Sequence, residues 1–347
     1  MQEYRVRMTF EGQHPIEMGC RADEDVVTAG LRQGVLIVSD CRKGACGACR
    51  AFLEEGQYDR LLDHSQHALS EDDEDEGWVL SCRLRPRSDI ALDFDYPIDR
   101  VSRLDASRRS GRIVAIERRS PTVLRLVVRT MAAQAPLAWK PGQYVRLELT
   151  RAGVTRSFSP ANLAGDGHDI EFFIRLLPGG AFSRTLRAMP GPGDMVAVEG
   201  PLGGFTLNPA GEHDLVFVAG GTGLAPVLSI LRQLGAEQPT RRATLIFGAA
   251  QEDELFATAD LQALQAGFPG LRVELAAEAP QASWTGFRGT AVDRLAALAQ
   301  ADPDHAGKHY YLCGPQAMVA AAHSLLTRQL AVPAGAVHQE PFSPSEG

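Results

Sequence analysis

No apolar run in this 347-residue chain approaches the roughly eighteen residues that a helical membrane span needs. The amino-terminal stretch Met-Gln-Glu-Tyr-Arg-Val-Arg-Met-Thr-Phe alternates like a strand and lacks the apolar core of an export signal, so a cytoplasmic location and no membrane role are expected. Of six cysteines four are grouped and the other two, Cys20 and Cys313, stand far apart, a pattern that fits a reducing compartment better than a disulfide framework. No internal repeat or low-complexity tract occurs. An excess of basic charge is also missing: residues 1–98 hold 11 basic and 20 acidic side chains, a net of −9, and residues 99–347 hold 24 and 23, a net of +1. The acidic excess of the first segment argues against nucleic acid as a partner and suits steering toward a basic surface on another protein.

The cysteines that are present are ordered. Cys41, Cys46, Cys49 and Cys82 are separated by four, two and thirty-two residues, the plant-type ferredoxin spacing rather than the paired knuckles of a zinc ribbon. The set reads as the four thiolate ligands of a [2Fe–2S] cluster. Gly44, Ala45, Gly47 and Ala48 leave room for backbone N–H groups to approach the sulfurs. Cys20 and Cys313 remain outside the set and far apart.

The length allows two or three domains. Strands are expected at 3–10 and 14–20, a helix from Asp23 to Gln33, and strands at 51–53, 80–82 and 90–94, the element order of a β-grasp (α+β) unit over 1–98. The acidic run Glu71–Glu76 between Ser70 and Gly77 suits a short capped helix with a solvated face; partner docking is the other reading. Residues 99–111 read as a linker, opening an arginine-rich stretch whose charge suits either a salt-sensitive clamp on the acidic unit or a solubilising connector.

From 112 to 206 short alternating strands, at 113–116, 123–128, 144–149, 155–158, 170–174 and 195–198, predict an antiparallel β-barrel. One helix, 184–188, follows the glycine-rich turn at Gly179–Ser183, a place suited to a phosphate. From 207 to 347 buried strands at 215–219, 243–247, 271–276 and 310–312 alternate with helices and predict a parallel α/β sheet.

The turn Gly220-Gly221-Thr222-Gly223 joins the first of these strands to a helix. It lacks the Gly-x-Gly-x-x-Gly spacing, and either close packing or backbone approach to a pyrophosphate would explain it. After the next strand, Gly248-Ala249-Ala250-Gln251-Glu252-Asp253 offers no Arg or Lys for a 2′-phosphate, which favours NADH over NADPH.

Arg156-Ser157-Phe158-Ser159, Gly180-Ala181-Phe182-Ser183, Gly221-Thr222-Gly223, Cys313-Gly314-Pro315 and Phe342 resemble the ordered motifs of the ferredoxin–NADP reductase superfamily. With the cysteine domain in front, the whole chain resembles the reductase component of bacterial multicomponent oxygenases, nearest to those of soluble methane and alkane monooxygenases.

The resemblance implies FAD in the barrel, NADH on the α/β domain, and electrons passing from NADH through FAD and the cluster to a di-iron hydroxylase. It implies Arg156 on the FAD pyrophosphate, Ser157 within the same motif, Phe158 against the flavin, Ser159 near its reactive nitrogen, and Gly180 and Ser183 at a phosphate. Gly220, Gly221, Thr222, Gly223, Gly314 and Pro315 would line the nicotinamide nucleotide, Cys313 would lie beside the nicotinamide, and Phe342 would cover the flavin. The family usually has Tyr where Phe158 stands. Cys313 as a small buried residue and Phe342 in a frayed tail are the plainer alternatives. The chain is expected to be monomeric; an aromatic-ring dioxygenase reductase and a redox-sensing switch are the rival functions.

Overall fold

A computed structural model describes the chain except residues 1, 12–14, 40–43, 45, 46, 60, 67, 97, 99, 100, 104–107, 166, 189, 190, 208–212 and 343–347. Cys41, Arg42, Lys43 and Cys46 therefore lie outside the described residues. Among the described residues no helix is long and apolar enough to cross a membrane. The chain divides into two compact units, residues 1–107 with 202–204, and 108–201 with 205–347.

The first unit begins with β1 (Glu3–Phe10) and β2 (Ile16–Arg21), an antiparallel pair, then α1 (Val26–Arg32) and the short β3 (Val35–Leu36). β4 (Arg50–Glu55), α2 (Glu71–Asp75), β5 (Trp78–Leu80), β6 (Ile90–Phe94) and β7 (Ser102–Arg103) follow. The sheet order is β2-β1-β6-β4-β5, with β1 and β6 parallel at its centre. Strand alternation buries Val6, Met8 and Phe10 of β1, and Phe10 stacks on Phe94 at 5.0 Å. Asp25 caps α1 by accepting from the Thr28 N–H at 2.8 Å.

The acidic run forms α2 as its caps predict, with a reciprocal Ser70–Asp73 capping box. Asp73 pairs with Arg50 at 2.5 Å, and Glu74 Oε1 lies 2.8 Å from His64 Nε2, so part of the acidic face is spent inside the unit. Strand β5 lies earlier than the expected 80–82. The Cys49 carbonyl accepts from both the N–H and the hydroxyl of Ser81, which ends the ladder and turns the chain at Cys82.

In the second unit β8 (Arg109–Arg118), β9 (Val123–Thr130), β10 (Tyr144–Leu149), β11 (Val154–Phe158), β12 (Asp169–Arg175) and β13 (Met195–Leu202) form an antiparallel sheet ordered β11-β10-β13-β8-β9-β12. It curls like a barrel: the Phe158 and Phe172 rings of its end strands lie 6.3 Å apart, and the Asn162 side chain, just past β11, donates to the Asp169 carbonyl and accepts from the Glu171 N–H, both at 2.9 Å. Ile113, Leu126, Val145, Leu147, Phe172 and Val198 fill the interior. Strand β8 starts at Arg109, inside the stretch expected to be linker. Arg109 and Ser110 pair with Val198 and Ala197 of β13, and their polar side chains are accommodated because they stay at the surface. Helix α3 (Ala181–Ala188) starts three residues before the expected 184, because the Gly180 carbonyl already accepts the Arg184 N–H at 2.9 Å.

The rest of this unit alternates strand and helix: β14 (Leu215–Gly220), α4 (Leu224–Glu237), β15 (Ala243–Ala249), α5 (Thr258–Gly267), β16 (Leu271–Ala277), β17 (Phe287–Arg288), α6 (Ala291–Gln300), β18 (His309–Pro315), α7 (Gln316–Ser324) and β19 (Val337–Phe342). All six strands are parallel, ordered β17-β16-β15-β14-β18-β19. β14 is buried throughout, as a central parallel strand requires. The two sheets are pinned together: Arg232 donates to the Ala161 carbonyl at 2.7 Å, Ser229 to the Asn162 carbonyl at 2.8 Å, Arg119 pairs with Asp260, and the Phe173 and Phe256 rings meet at 4.8 Å.

Candidate flavin, nicotinamide and cluster sites

Arg156, Ser157 and Phe158 end strand β11, with Ser159 just beyond. Ser159 is 4% exposed, and its hydroxyl has no hydrogen-bond partner among the described residues. A buried hydroxyl left unmatched costs about 1–3 kcal/mol, so this atom fits a group that binds there. The Arg156 guanidinium donates at 2.8 Å to the Thr155 carbonyl and has no carboxylate among the described residues, which suits it to an anion. Phe158 turns its ring onto Phe182 of α3 at 5.0 Å, coupling this strand to the glycine-rich turn. Ser157 is exposed.

At that turn Gly179 takes φ +73° with open space where a side chain would be, and Ser183 is buried, accepting from the Leu177 N–H at 2.9 Å. Ser183 thus holds the loop in shape, and Gly180 sits within the same turn. The Arg156 strand, the unmatched Ser159 hydroxyl and this loop together fit a bound flavin.

The four glycine positions of the β14–α4 connection and its neighbour divide by function. A β-carbon on Gly220 would fall 2.6 Å from Met318 Sδ, one on Gly223 would fall 2.3 Å from the Cys313 carbonyl oxygen, and one on Gly314 would fall 2.8 Å from the Gly220 carbonyl oxygen. These three let β14 and β18 close on one another. Gly221 differs: it takes φ +52°, and its side is open except for the Arg175 guanidinium. Thr222 is half-buried in the same short 3₁₀ turn, at the start of α4, where the helix dipole favours an anion.

Cys313 is completely covered, within the core formed by Phe217, Ala219 and Leu224. Pro315 lies opposite Phe342 in the β18–β19 register, and Phe342 is half-buried against the same core. Phe342 is therefore held by a strand rather than by a loose tail. The register also sets Glu340, a carboxylate only 4% exposed, opposite Cys313. Glu340 escaped the sequence reading although it stands two residues from Phe342, because a lone Glu carries no motif. Arg175 escaped it for the same reason; the legible sign was a cation ending a strand just before a glycine-rich loop.

In the first unit Cys49 and Cys82 are both buried, and the pairing of Arg50 with Leu80 brings their segments side by side. Gly44 and Gly47 take φ +71° and +74°, and the Gly44 position is closed in by His64 and Arg83. Two buried thiols beside a loop with left-handed glycines fit the cluster, for which Cys41 and Cys46 would supply the ligands outside the described residues.

Comparison with known families finds a 2Fe-2S iron-sulfur cluster binding domain over residues 9–87, an oxidoreductase FAD-binding domain over 110–207 and an oxidoreductase NAD-binding domain over 217–324. Methane monooxygenase component C of Methylosinus trichosporium is 40% identical over 287 residues, covering 81% of this chain and 83% of that protein. The toluate 1,2-dioxygenase electron transfer component of Pseudomonas putida is 31% identical over 97% of this chain and 98% of its own. The crystal structure of a cytochrome P450 reductase from Amycolatopsis matches with a TM-score of 0.77 at 26% identity, over 98% of this chain and all of the other. The chain thus belongs to the ferredoxin–NADP reductase superfamily, as an oxygenase reductase component with an amino-terminal 2Fe-2S domain followed by FAD- and NAD-binding domains.

Proposed function

We propose that this reductase serves a soluble methane or short-alkane monooxygenase and delivers electrons from NADH to its di-iron hydroxylase. The observation that carries the reading is the 40% identity to methane monooxygenase component C across four fifths of both chains. The hydrocarbon itself never needs to touch this chain. When bound, FAD and the cluster supply the conversion of a two-electron hydride donor into single electrons.

The residues have separate tasks in this reading. Arg156 holds the flavin diphosphate by charge-assisted hydrogen bonds, with Ser157 exposed beside it, and Phe158 braces the flavin strand against α3. Ser159 donates its unmatched hydroxyl to the reactive edge of the ring. Gly180 and Ser183 shape the phosphate loop. Gly221 and Thr222 face the nicotinamide dinucleotide, while Gly220, Gly223, Gly314 and Pro315 set the spacing of the two strands beneath it. Cys313, covered within the core, would support the strand end beneath the nicotinamide rather than touch it, and Phe342, held on β19 against that core, would lie over the flavin. Cys41, Cys46, Cys49 and Cys82 hold the cluster.

The near full-length match to the toluate dioxygenase component supports a second reading, reductase of an aromatic-ring dioxygenase. Mixing the purified chain and NADH with each oxygenase in turn separates the two. Hydrocarbon-dependent NADH oxidation coupled to alcohol formation by the di-iron hydroxylase is the expected result. Coupled turnover with the ring dioxygenase alone would replace the first reading by the second.

A further inference from the structure

We infer that Arg83 raises the reduction potential of the 2Fe–2S cluster, as a positive charge held beside the ligand loop with no carboxylate to neutralise it among the described residues. The inference rests on the cluster reading of the four cysteines. Arg83 follows Cys82 directly, and its N–H donates to the Leu80 carbonyl at 2.8 Å where the chain turns. Its side chain reaches the other ligand-bearing segment: its Cγ lies 3.0 Å from where a Gly44 β-carbon would stand, and the His64 Cβ closes the same point at 2.6 Å. Arg83 thus spans Cys82 and the glycine loop that leads to Cys49.

Its pairing sets Arg83 apart from its neighbours. Arg5 pairs with Asp89, Arg32 with Glu24 and Arg87 with Asp59. Arg50, which follows Cys49 as Arg83 follows Cys82, is spent on Asp73 at 2.5 Å and on the Trp78 ring, whose centroid lies 4.4 Å from the guanidinium carbon. Arg83 stands in a segment of net charge −9, yet it has no carboxylate partner among the described residues, and its buried Nε makes no hydrogen bond. A guanidinium enclosed in this way is costly unless an anion faces it. Four thiolates, two sulfides and two ferric ions sum to a dianion, and one added electron, which reduces one ferric ion to ferrous, makes a trianion. A fixed positive charge beside it favours the trianion, so the potential rises. That electron comes from the flavin in turnover.

Redox titration of the loaded protein with dithionite and mediator dyes, following the reduced cluster by electron paramagnetic resonance, tests this without turnover. Arg83→Gln and Arg83→Met, the second keeping the stem against Gly44, are each expected to weaken the hold on the electron about tenfold, which lowers the potential of a one-electron couple by about 59 mV. Arg83→Lys keeps the charge and recovers most of the potential. Arg87→Gln, which removes an exposed charge already paired with Asp59, shifts it severalfold less. A wild-type potential in either neutral variant of Arg83 overturns the inference alone, as does an equal shift in Arg87→Gln. Failure of both neutral variants to hold iron and sulfide at the wild-type stoichiometry overturns it too, by making Arg83 a structural residue. A wild-type chain that takes up no iron or sulfide on reconstitution overturns the cluster reading, and the inference with it.

Discussion

Gly223 is packed so tightly beneath Cys313 that a β-carbon on it would lie 2.3 Å from the Cys313 carbonyl oxygen. Its own backbone, at φ −60°, is one that any residue adopts. The requirement for glycine there is therefore a matter of space, whereas at Gly221, with φ +52°, it is a matter of backbone conformation.

Gly223→Ala is expected to cost about 3 kcal/mol, the upper range for overpacking against backbone, and Gly221→Ala about 1–2 kcal/mol. For a unit of this size each kcal/mol lowers the melting temperature by about 2–4 °C. Thermal unfolding decides it: equal losses in the two variants would refute the division of these glycines into a packing and a ligand-facing role.

Ser159→Ala has opposite expectations with and without flavin. In the flavin-free protein it removes a buried hydroxyl with no partner, so stability is unchanged or slightly raised. In the loaded protein NADH-driven flavin reduction is expected to slow about ten- to a hundredfold, the loss of one aimed donor, or roughly 1.4–2.7 kcal/mol. A loss of stability in the flavin-free variant would mean that the hydroxyl is structurally bonded.

The sheet end opposite the glycine turn carries three histidines. The His213 and His309 rings stack at 4.5 Å, and His338 Nε2 lies 3.4 Å from His309 Nδ1. Burial, helped by His213 and Arg241, pushes His309 below its ordinary value of 6.5. A base harder to protonate when folded than when unfolded contributes stability that is full above pH 6.5 and is lost as the pH falls through the depressed native value. His323, also lowered by burial, adds in the same direction. Melting temperature should therefore fall from pH 7 toward pH 5, with a shallower slope in His309→Gln; an unchanged slope would contradict the assignment.

The flavin and nucleotide sheets are expected to unfold together. Phe256→Ala removes a ring that meets both Phe173 of β12 and Phe247 of β15, at 4.8 and 5.7 Å. The loss should be about 3–5 kcal/mol, read as one cooperative transition shifted downward. Two separated transitions would show the sheets to be independent.

What could be read in the chain beforehand divides along physical lines. Strands such as β1 and β14 were legible because alternation or unbroken apolarity follows directly from which faces are buried, and α2 because Ser70 and Gly77 bound it locally; the reciprocal bond from Asp73 was not read beforehand. The start of β8 was obscured by Arg109 and Ser110, polar residues that pair by backbone while their side chains stay at the surface. Cys41, Cys46, Cys49 and Cys82 stood out because their spacing is the one a plant-type cluster would impose on its ligands. Which glycines serve packing and which serve a ligand was not legible, since that depends on how close β18 approaches β14. Arg175 and Glu340 were hidden for a related reason: only the fold brings them beside the turn and Cys313.

The central claim is that electrons enter from NADH at the second unit and leave through the cluster of the first. Anaerobic stopped-flow mixing of the loaded protein with NADH, recording flavin and cluster absorbance separately, tests it most directly. The account predicts rapid loss of flavin absorbance followed by loss of cluster absorbance, both stoichiometric with NADH. Slow, substoichiometric change at the cluster after the flavin has been reduced would contradict it.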